Sequence, residues 1–252
     1  EVLSRHGFGK YPDVLTSFEF ERLTCASGPT EGAIVRPSDQ RHPKHIAFLQ
    51  CIGSRDETCG NGYCSSVCCM YAVKEASVAK EHDPDLDITI FYMDMRTQGK
   101  EFDASRQRAR EKYGIKFVRS RIAGIQEQGD QLRISYIDGR GVHHGESFDM
   151  VGLSEGLESP EGADDLARNC GIDINKYEFC STQTFTPLQT SRQGIFVAGA
   201  FGGPKDIPES VTEATGAVAV VDSLLNKARG SRVEKKEYPA ELVIEDEPRI
   251  GI

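Results

Sequence analysis

The clearest hydrophobic run in the chain is "HIAFLQCIGS" at residues 45–54, nearly all apolar until it stops at Gly-Ser. Such a run fits a strand buried on both faces of a parallel sheet. Next comes "SSVCCMYAVKEASVAKEH" (65–82), where Val67, Met70, Tyr71, Val73, Val78 and Ala79 are apolar and Lys74, Glu75, Lys80 and Glu81 are polar. That mixture predicts a helix with Ser65 or Ser66 as its N-cap. "LDITIFYMD" (86–94) predicts a second strand, "KEFDASRQRAREKYG" (100–114) a charged helix with Gly114 just past its end, and "IKFVRSRI" (115–122) a third strand. Strand, helix, strand, helix, strand at these lengths is the pattern of a parallel α/β unit.

The pattern changes on either side of this unit. Residues 1–43 are polar and turn-rich, with a short helix predicted in "SFEFERLTCA" (17–26). After residue 122, apolar and polar positions alternate around turns such as Asp138-Gly139, which predicts a β-meander ending on a buried strand near Met150–Leu153. A short helix follows in "SPEGADDLARNCGI", then a strand in "GIFVAGA" (194–200). A long helix is expected over 210–228, opened by Ser210 with Glu213 three residues on. His143-His144 falls in a predicted turn. Residues 229–252 are charged, contain two prolines and are expected to be a linker.

Composition narrows the function classes. The net charge is −9, from 39 acidic against 30 basic residues, and no Lys/Arg block stands out, so nucleic acid is not expected as a partner. No apolar stretch approaches the roughly 18 residues of a membrane span; the longest, "GAVAVVDSLL", is broken by Asp222. The chain opens on Glu1 with no secretory pattern, from which an internal segment of a longer chain is expected. Eight cysteines in such a protein suggest a reducing, cytoplasmic compartment, where clustered thiols bind metal or do redox work more often than they form staples.

Five of those cysteines, Cys51, Cys59, Cys64, Cys68 and Cys69, fall within nineteen residues. Cys51 closes the first strand and Cys68-Cys69 open the helix after it. In a nucleotide-binding unit that crossing holds a Gly-rich loop and a phosphate, but no G-x-G-x-x-G occurs. A helix N-terminus there would stabilise thiolates instead. Four readings remain open. They are buried structural cysteines, a zinc site that lacks the usual paired C-x2-C knuckles, a dithiol pair Cys59-x4-Cys64, and an iron–sulfur cluster fed by strand end, loop and helix start. Asp94, at the end of the second strand, sits where a dinucleotide domain keeps its ribose-binding acid; without the glycine loop, a turn or cap role is favoured over NAD binding. Arg96 and Arg106 read as surface or partner-facing residues.

The stretches "YPDVLTSFEFERL", "IAFLQCIGSRDE", "YCSSVCCMYAVKEA", "KEHDPDLDITIFYMDMRTQGKEF" and "GIFVAGAFGGPKDIPESVTEATGAVA" resemble the A-subunit of heterodisulfide reductase, an iron–sulfur flavoprotein. The likeness runs from residue 11 to about 225. It implies an α/β, thioredoxin-reductase-like fold with a dinucleotide-type domain, parallel sheet plus meander, inserted into an FAD domain. The inserted domain is expected at 44–150, with 1–43 and 151–228 on the FAD side. The resemblance implies a [4Fe-4S] cluster held by Cys51, Cys64, Cys68 and Cys69, leaving Cys59 as a bystander and Cys25, Cys170 and Cys180 outside the pattern. It implies flavin contacts from Gly199, Ala200, Gly202, Gly203, Lys205 and Ser210. Ala200 stands where classical reductases keep an acid for the ribityl chain. The family's N-terminal FAD loop is absent, so FAD is expected in the full-length protein and lost from a fragment that would be inactive alone. The implied function is electron transfer between FAD and [4Fe-4S] centres, in the family the site proposed for flavin-based bifurcation. The implied partners are other heterodisulfide reductase-like subunits, a hydrogenase or dehydrogenase donor, and ferredoxin. "EPRIGI" at the end resembles the start of a further module of such subunits. A non-catalytic zinc-binding or docking module and a dithiol/disulfide oxidoreductase are the alternatives.

Overall fold

In the computed structural model, residues 2–122 and 124–240 are described. The "EPRIGI" segment lies outside them. A short helix α1 (Val2–Arg5) leads to β1 (Val14–Thr16), α2 (Ser17–Thr24) and β2 (His45–Ile52). Then come α3 (Cys68–His82), β3 (Asp87–Tyr92), α4 (Phe102–Glu111) and β4 (Lys116–Arg119). The meander is β5 (Ile125–Gln128), β6 (Gln131–Ile137) and β7 (His143–Phe148), followed by β8 (Met150–Glu155). Two helices complete the chain, α5 (Ala163–Cys170) and α6 (Ile207–Leu225).

Five strands form one parallel sheet in the order β1-β8-β2-β3-β4, and β5-β6-β7 form a separate antiparallel sheet. The two-residue period of the strands decides what each face meets. Ile46, Phe48, Ile88, Ile90 and Met150 point to the side covered by α2, α3 and α4, where they join Phe20, Ala72, Val73 and Ala76. Ala47, Leu49, Phe91, Val151 and Leu153 point to the opposite side, against Ile125, Leu132, Ile134, Tyr136 and Phe148 of the meander. Both faces are therefore apolar, which is why β2 reads as a continuous hydrophobic run. Gly152 lies opposite Phe48 in the register, and a Cβ there would come within 2.8 Å of the Phe48 ring. The sheet draws β1 and nearly all of β8 from the segments flanking 44–150.

Several sequence expectations are corrected. Residues 194–200 do not form a strand; the segment makes one isolated bridge, Gln189 with Phe196, and turns into a 3-10 helix at Ala200–Gly202. A strand needs a partner to complete its ladder, and no described residue pairs with this one beyond that bridge. The long helix starts at Ile207. Its capping box is Asp206 with Glu209, whereas Ser210 is already helical and its hydroxyl donates to the Asp206 carbonyl. At α3, neither Ser65 nor Ser66 is the cap. The Ser65 hydroxyl accepts from Leu157 N, and Ser66 has a left-handed backbone, so the position passes to Val67, which offers no side-chain acceptor. His143 and His144 lie in β7; His144 stacks on Tyr136 and bonds Asp138 at 3.0 Å.

The later part of the chain has a smaller core, made of Ala167, Ile172, Cys180 and Val197. It meets the loop after β2 through Tyr63, whose ring packs edge-on against Tyr177 and Phe179.

Candidate functional site

The thiol-rich site sits where β2 hands over to α3. The register of β2 against β8 shifts between Leu49 and Ile52, and Cys51 within that bulge has φ 62°. A non-glycine residue there costs on the order of 1–3 kcal/mol and persists only when its surroundings hold it. They do. Ser54 Oγ accepts from Ser65 N and donates to the Tyr63 carbonyl, Arg55 N donates to the same carbonyl at 2.8 Å, and Asn61 Nδ2 donates to Gly53 O. These bonds fold residues 53–66 into a pinned loop, closed over by Tyr63 Oη donating to Leu157 O.

Cys68 and Cys69 are the first two residues of α3, which carries no acidic residue in its first turn. The helix N-terminus there favours anionic sulfur. Cys51, Cys68 and Cys69 are all buried, and all eight cysteines are free thiols. The Cys68 thiol is within hydrogen-bonding reach of both Cys51 and Cys69. That sharing pushes Cys68 up. The Cys68 hydrogen bond, joined by the Arg55 guanidinium and the charge of Arg96, brings Cys51 down to about 7 against its burial. Cys69 is lowered by the same Cys68 thiol and by the Arg96 N–H, which donates to its sulfur at 3.4 Å.

Cys64 stands beside this trio. Its sulfur accepts from Ser66 N at 3.4 Å and meets the Arg96 side chain. Arg96 thus bridges Cys69 with its backbone and Cys64 with its guanidinium. Asp94 anchors it, accepting from Arg96 Nε at 3.1 Å and pairing with Arg55 at 3.7 Å. Sequence reasoning places Arg96 on the surface. Its role at the thiols depends on β3 ending beside α3, 27 residues away in sequence. Arg106 pairs with Asp103 on α4.

Among the described residues, no three Cys, His, Asp or Glu side chains stand where they could share a single metal ion. One zinc ion needs its sulfurs about 2.3 Å from a common point. A four-iron cube takes one thiolate at each of four irons, so its ligands stand further apart. Three thiols that meet at the crossing, two of them depressed, and a fourth, Cys64, tied to them through Arg96, with amide N–H donors on two sulfurs, match that donor set in kind. Cys59 has other partners. Its thiol donates to Asp56 O at 3.2 Å, and it lines a separate cleft with Tyr63, Lys176 and Tyr177.

The glycine turn before α6 is the second candidate site. Gly199 has φ 80° and Gly203 φ 134°, conformations that side chains resist. Lys205 is only 11% exposed and is held by both carboxylate oxygens of Glu213 at 2.7 Å, while Gly199 N donates to Glu213 at 2.8 Å. Glu213 therefore organises this turn instead of completing a capping box with Ser210. Ala200 is exposed. A groove of about 540 Å³ runs between this turn and the approach to α4, lined by Gln98, Gly99, Phe102, Lys205, Asp206 and Pro208. The groove thus borders a glycine turn that lets a ligand approach the backbone closely, while the start of α6 is already capped by Asp206 and Glu209 and Lys205 is paired with Glu213.

No protein-family model matches the chain. It is 42% identical over 220 residues to the A-subunit of the H(2):CoB-CoM heterodisulfide,ferredoxin reductase of Methanothermobacter thermautotrophicus, covering 85% of this chain and 33% of that protein. It is 39% identical over 222 residues to the iron-sulfur A-subunit of the CoB–CoM heterodisulfide reductase of Methanocaldococcus jannaschii, covering 86% and 34%. The chain thus spans about a third of the length of the curated relatives it matches. Among solved structures, a Cu(II) complex of the HOCl-induced flavoprotein disulfide reductase RclA from Escherichia coli, a mutant form, aligns with TM-score 0.53 at 16% identity, covering 89% of this chain and 42% of that one. The fold is that of the flavoprotein disulfide reductases.

Proposed function

We propose, on the premise that this chain is a homologue of one segment of the heterodisulfide reductase A-subunit, that it is the electron-transferring part of an iron–sulfur flavoprotein oxidoreductase. What carries the reading is the meeting of Cys51, Cys68 and Cys69 at one strand–helix crossing, with Cys64 joined to them through Arg96. In this reading those four cysteines hold a [4Fe-4S] cluster, and residues 44–150, closed by β1 and β8, form the domain that carries it. When bound, the cluster supplies one-electron transfer. The protein's part is to bury three of the ligands, hold Cys51 in its left-handed turn and direct the Arg96 and Ser66 N–H groups at sulfur. Those donors and the two guanidiniums favour the more negative, reduced state.

Gly199, Ala200, Gly202, Gly203, Lys205 and Ser210 are proposed to border the flavin of FAD in a protein of the relatives' length. The names of the relatives mention H(2), formate and ferredoxin. For this chain the proposed partners are accordingly sibling subunits, a hydrogenase or dehydrogenase as donor, and ferredoxin.

Iron and acid-labile sulfide per chain, measured after anaerobic purification, test the cluster. About four of each are expected. Cys68→Ala should lose most of the iron, whereas Cys59→Ser should keep it. Equal iron in wild type and Cys68→Ala, or a single stoichiometric zinc, would sink the assignment.

A further inference from the structure

Arginines gather where the parallel sheet ends. Arg55 and Arg96 follow β2 and β3, Arg119 is the last residue of β4, and Arg121 comes two residues later. Their contacts join them into one edge. Arg55 and Arg96 meet at the Asp94 carboxylate, at 3.7 and 3.1 Å. Arg119 Nε donates at 3.0 Å to the carbonyl of Met93, the neighbour of Asp94. Arg121 pairs at 2.8 Å with Asp56, the neighbour of Arg55. Asp56 also accepts from the Thr58 hydroxyl, which takes a bond from Arg5 at 3.3 Å.

This edge borders the thiols. Cys51 lines one small cavity together with Asp56, Met93 and Arg121. Arg55 reaches the Cys51 sulfur, and Arg96 meets Cys64 with its side chain and Cys69 with its backbone. Cys51, Cys68 and Cys69 are buried, whereas the Arg96 side chain is 38% exposed and Arg119 and Arg121 are exposed. Arg96 therefore runs from sulfur to solvent, and the thiol site comes to the surface at the arginine edge.

The charge of this edge is opposite to that of the chain. Four guanidiniums meet the carboxylates of Asp56 and Asp94, in a molecule of net charge −9. Glu57, next to Asp56, is directed instead to Gly62 and Tyr177. An acidic partner is repelled by the chain as a whole and attracted here. Such a contrast steers encounter and fixes orientation more than it adds affinity. We propose that the arginine edge is the docking face for a small, acidic electron-carrier protein, which exchanges single electrons with the centre at the thiols. The proposal rests on the reading of that centre as a redox site and assigns its partner surface. One electron passes between the reduced carrier and the oxidised centre, and no bond forms or breaks.

An acidic two-[4Fe-4S] ferredoxin is the probe. Its oxidised form is immobilised, and the association rate of the iron-free chain is measured against salt. The rate should fall steeply from about 0.01 M to about 1 M salt, as the Debye length shrinks from about 30 Å to about 3 Å. At low salt Arg119→Glu should slow association about tenfold, and Arg121→Gln should slow it less. The same change of charge in the β6–β7 turn, Arg140→Glu, should leave the rate near that of wild type. Equal slowing by Arg119→Glu and Arg140→Glu, or a wild-type rate indifferent to salt, overturns the docking face. Should Arg119→Glu fail to fold, Arg121→Gln and the salt dependence of wild type carry the same decision. In the metal-loaded chain, Arg119→Glu should slow electron transfer from reduced ferredoxin but not from reduced methyl viologen, a cation. Slowing of both alike would assign the arginine effect to the centre itself and overturn docking as its cause. A chain that takes up no iron defeats the redox reading and the electron exchange with it, and association of the iron-free chain still decides the docking face.

Discussion

At the scale of single residues, the sharpest test of the packing is Asp13 with Arg36. Their side chains are each 7% exposed and 2.9 Å apart. Asp13 also accepts from Ser38 N and Ser38 Oγ, and Arg36 donates to the Asp130 carbonyl at 2.6 Å. The pair thus ties the chain before β1, the loop before β2 and the meander turn at Asp130. Breaking a buried pair costs about 3–5 kcal/mol, and for Arg36 the carboxylates of Asp39 at 3.5 Å and Asp130 at 3.9 Å remain to reduce that cost. Asp13→Ala should lower the unfolding free energy, read from the denaturant curve, by up to that amount, whereas removing both side chains should cost less than the sum of the single losses. A near-neutral Asp13→Ala would mean that Asp39 and Asp130 take over the guanidinium. Nothing in the local pattern around Asp13 announces this pair, because its partners lie in distant segments of the chain. The cysteines are the opposite case. Their crowding marks the site in the sequence, and the family resemblance separates Cys51, Cys64, Cys68 and Cys69 from Cys59. Arg96 stays invisible at that level because only the fold brings it to sulfur.

At the scale of elements, the period of the side chains is readable wherever both faces of a strand meet protein. β2, β3, β8 and α3 follow their hydrophobic patterns to within a few residues. The errors cluster at ends. Ser210 with Glu213 has the spacing of a capping box, but so does Asp206 with Glu209, and the earlier pair wins because Pro208 suits the first turn. Residues 194–200 have a strand's composition without a strand's neighbour. One junction gives a prediction. Asp149, between β7 and β8, accepts from Lys44 N at 2.7 Å, His45 N at 2.8 Å and Gln131 Nε2 at 3.0 Å. Burial works against its charge, but those three donors and the nearby His45 outweigh it, so Asp149 ionises below its usual range. A carboxyl lowered on folding stabilises the native state above its unfolded value of about 3.9, and that stability is lost as pH falls through the folded value. Asp149→Asn should therefore be less stable than wild type at neutral pH, and the gap should close in acid. Unfolding curves from neutral pH down to the acid limb measure it; a gap that stays constant with pH would assign the loss to shape rather than charge.

At the scale of the whole molecule, stability is unevenly distributed. The sheet between the helices and the meander holds Phe20, Phe48, Phe91, Ile90, Ile134, Met150 and Leu153, all essentially sealed from solvent. By contrast, α6 contributes no buried side chain, and Ile207, Val211 and Val218 are each more than half exposed. Its start is well made, with a capping box and a proline in the first turn, so the helix forms from local signals. Isolated helices of this length are marginal in water when no apolar face is packed. Amide exchange should therefore divide the chain. In β2 and β8 exchange should require global unfolding, and in α6 it should proceed through local opening that costs only about 0–2 kcal/mol. The Gly199–Gly203 turn should follow α6, since Glu213 on that helix supplies the bonds that hold Gly199 and Lys205. Glu213→Gln should loosen the turn while leaving exchange in β2 and β8 unchanged. Equal protection of α6 and the sheet would contradict this division and would show that the helix is packed against something in solution.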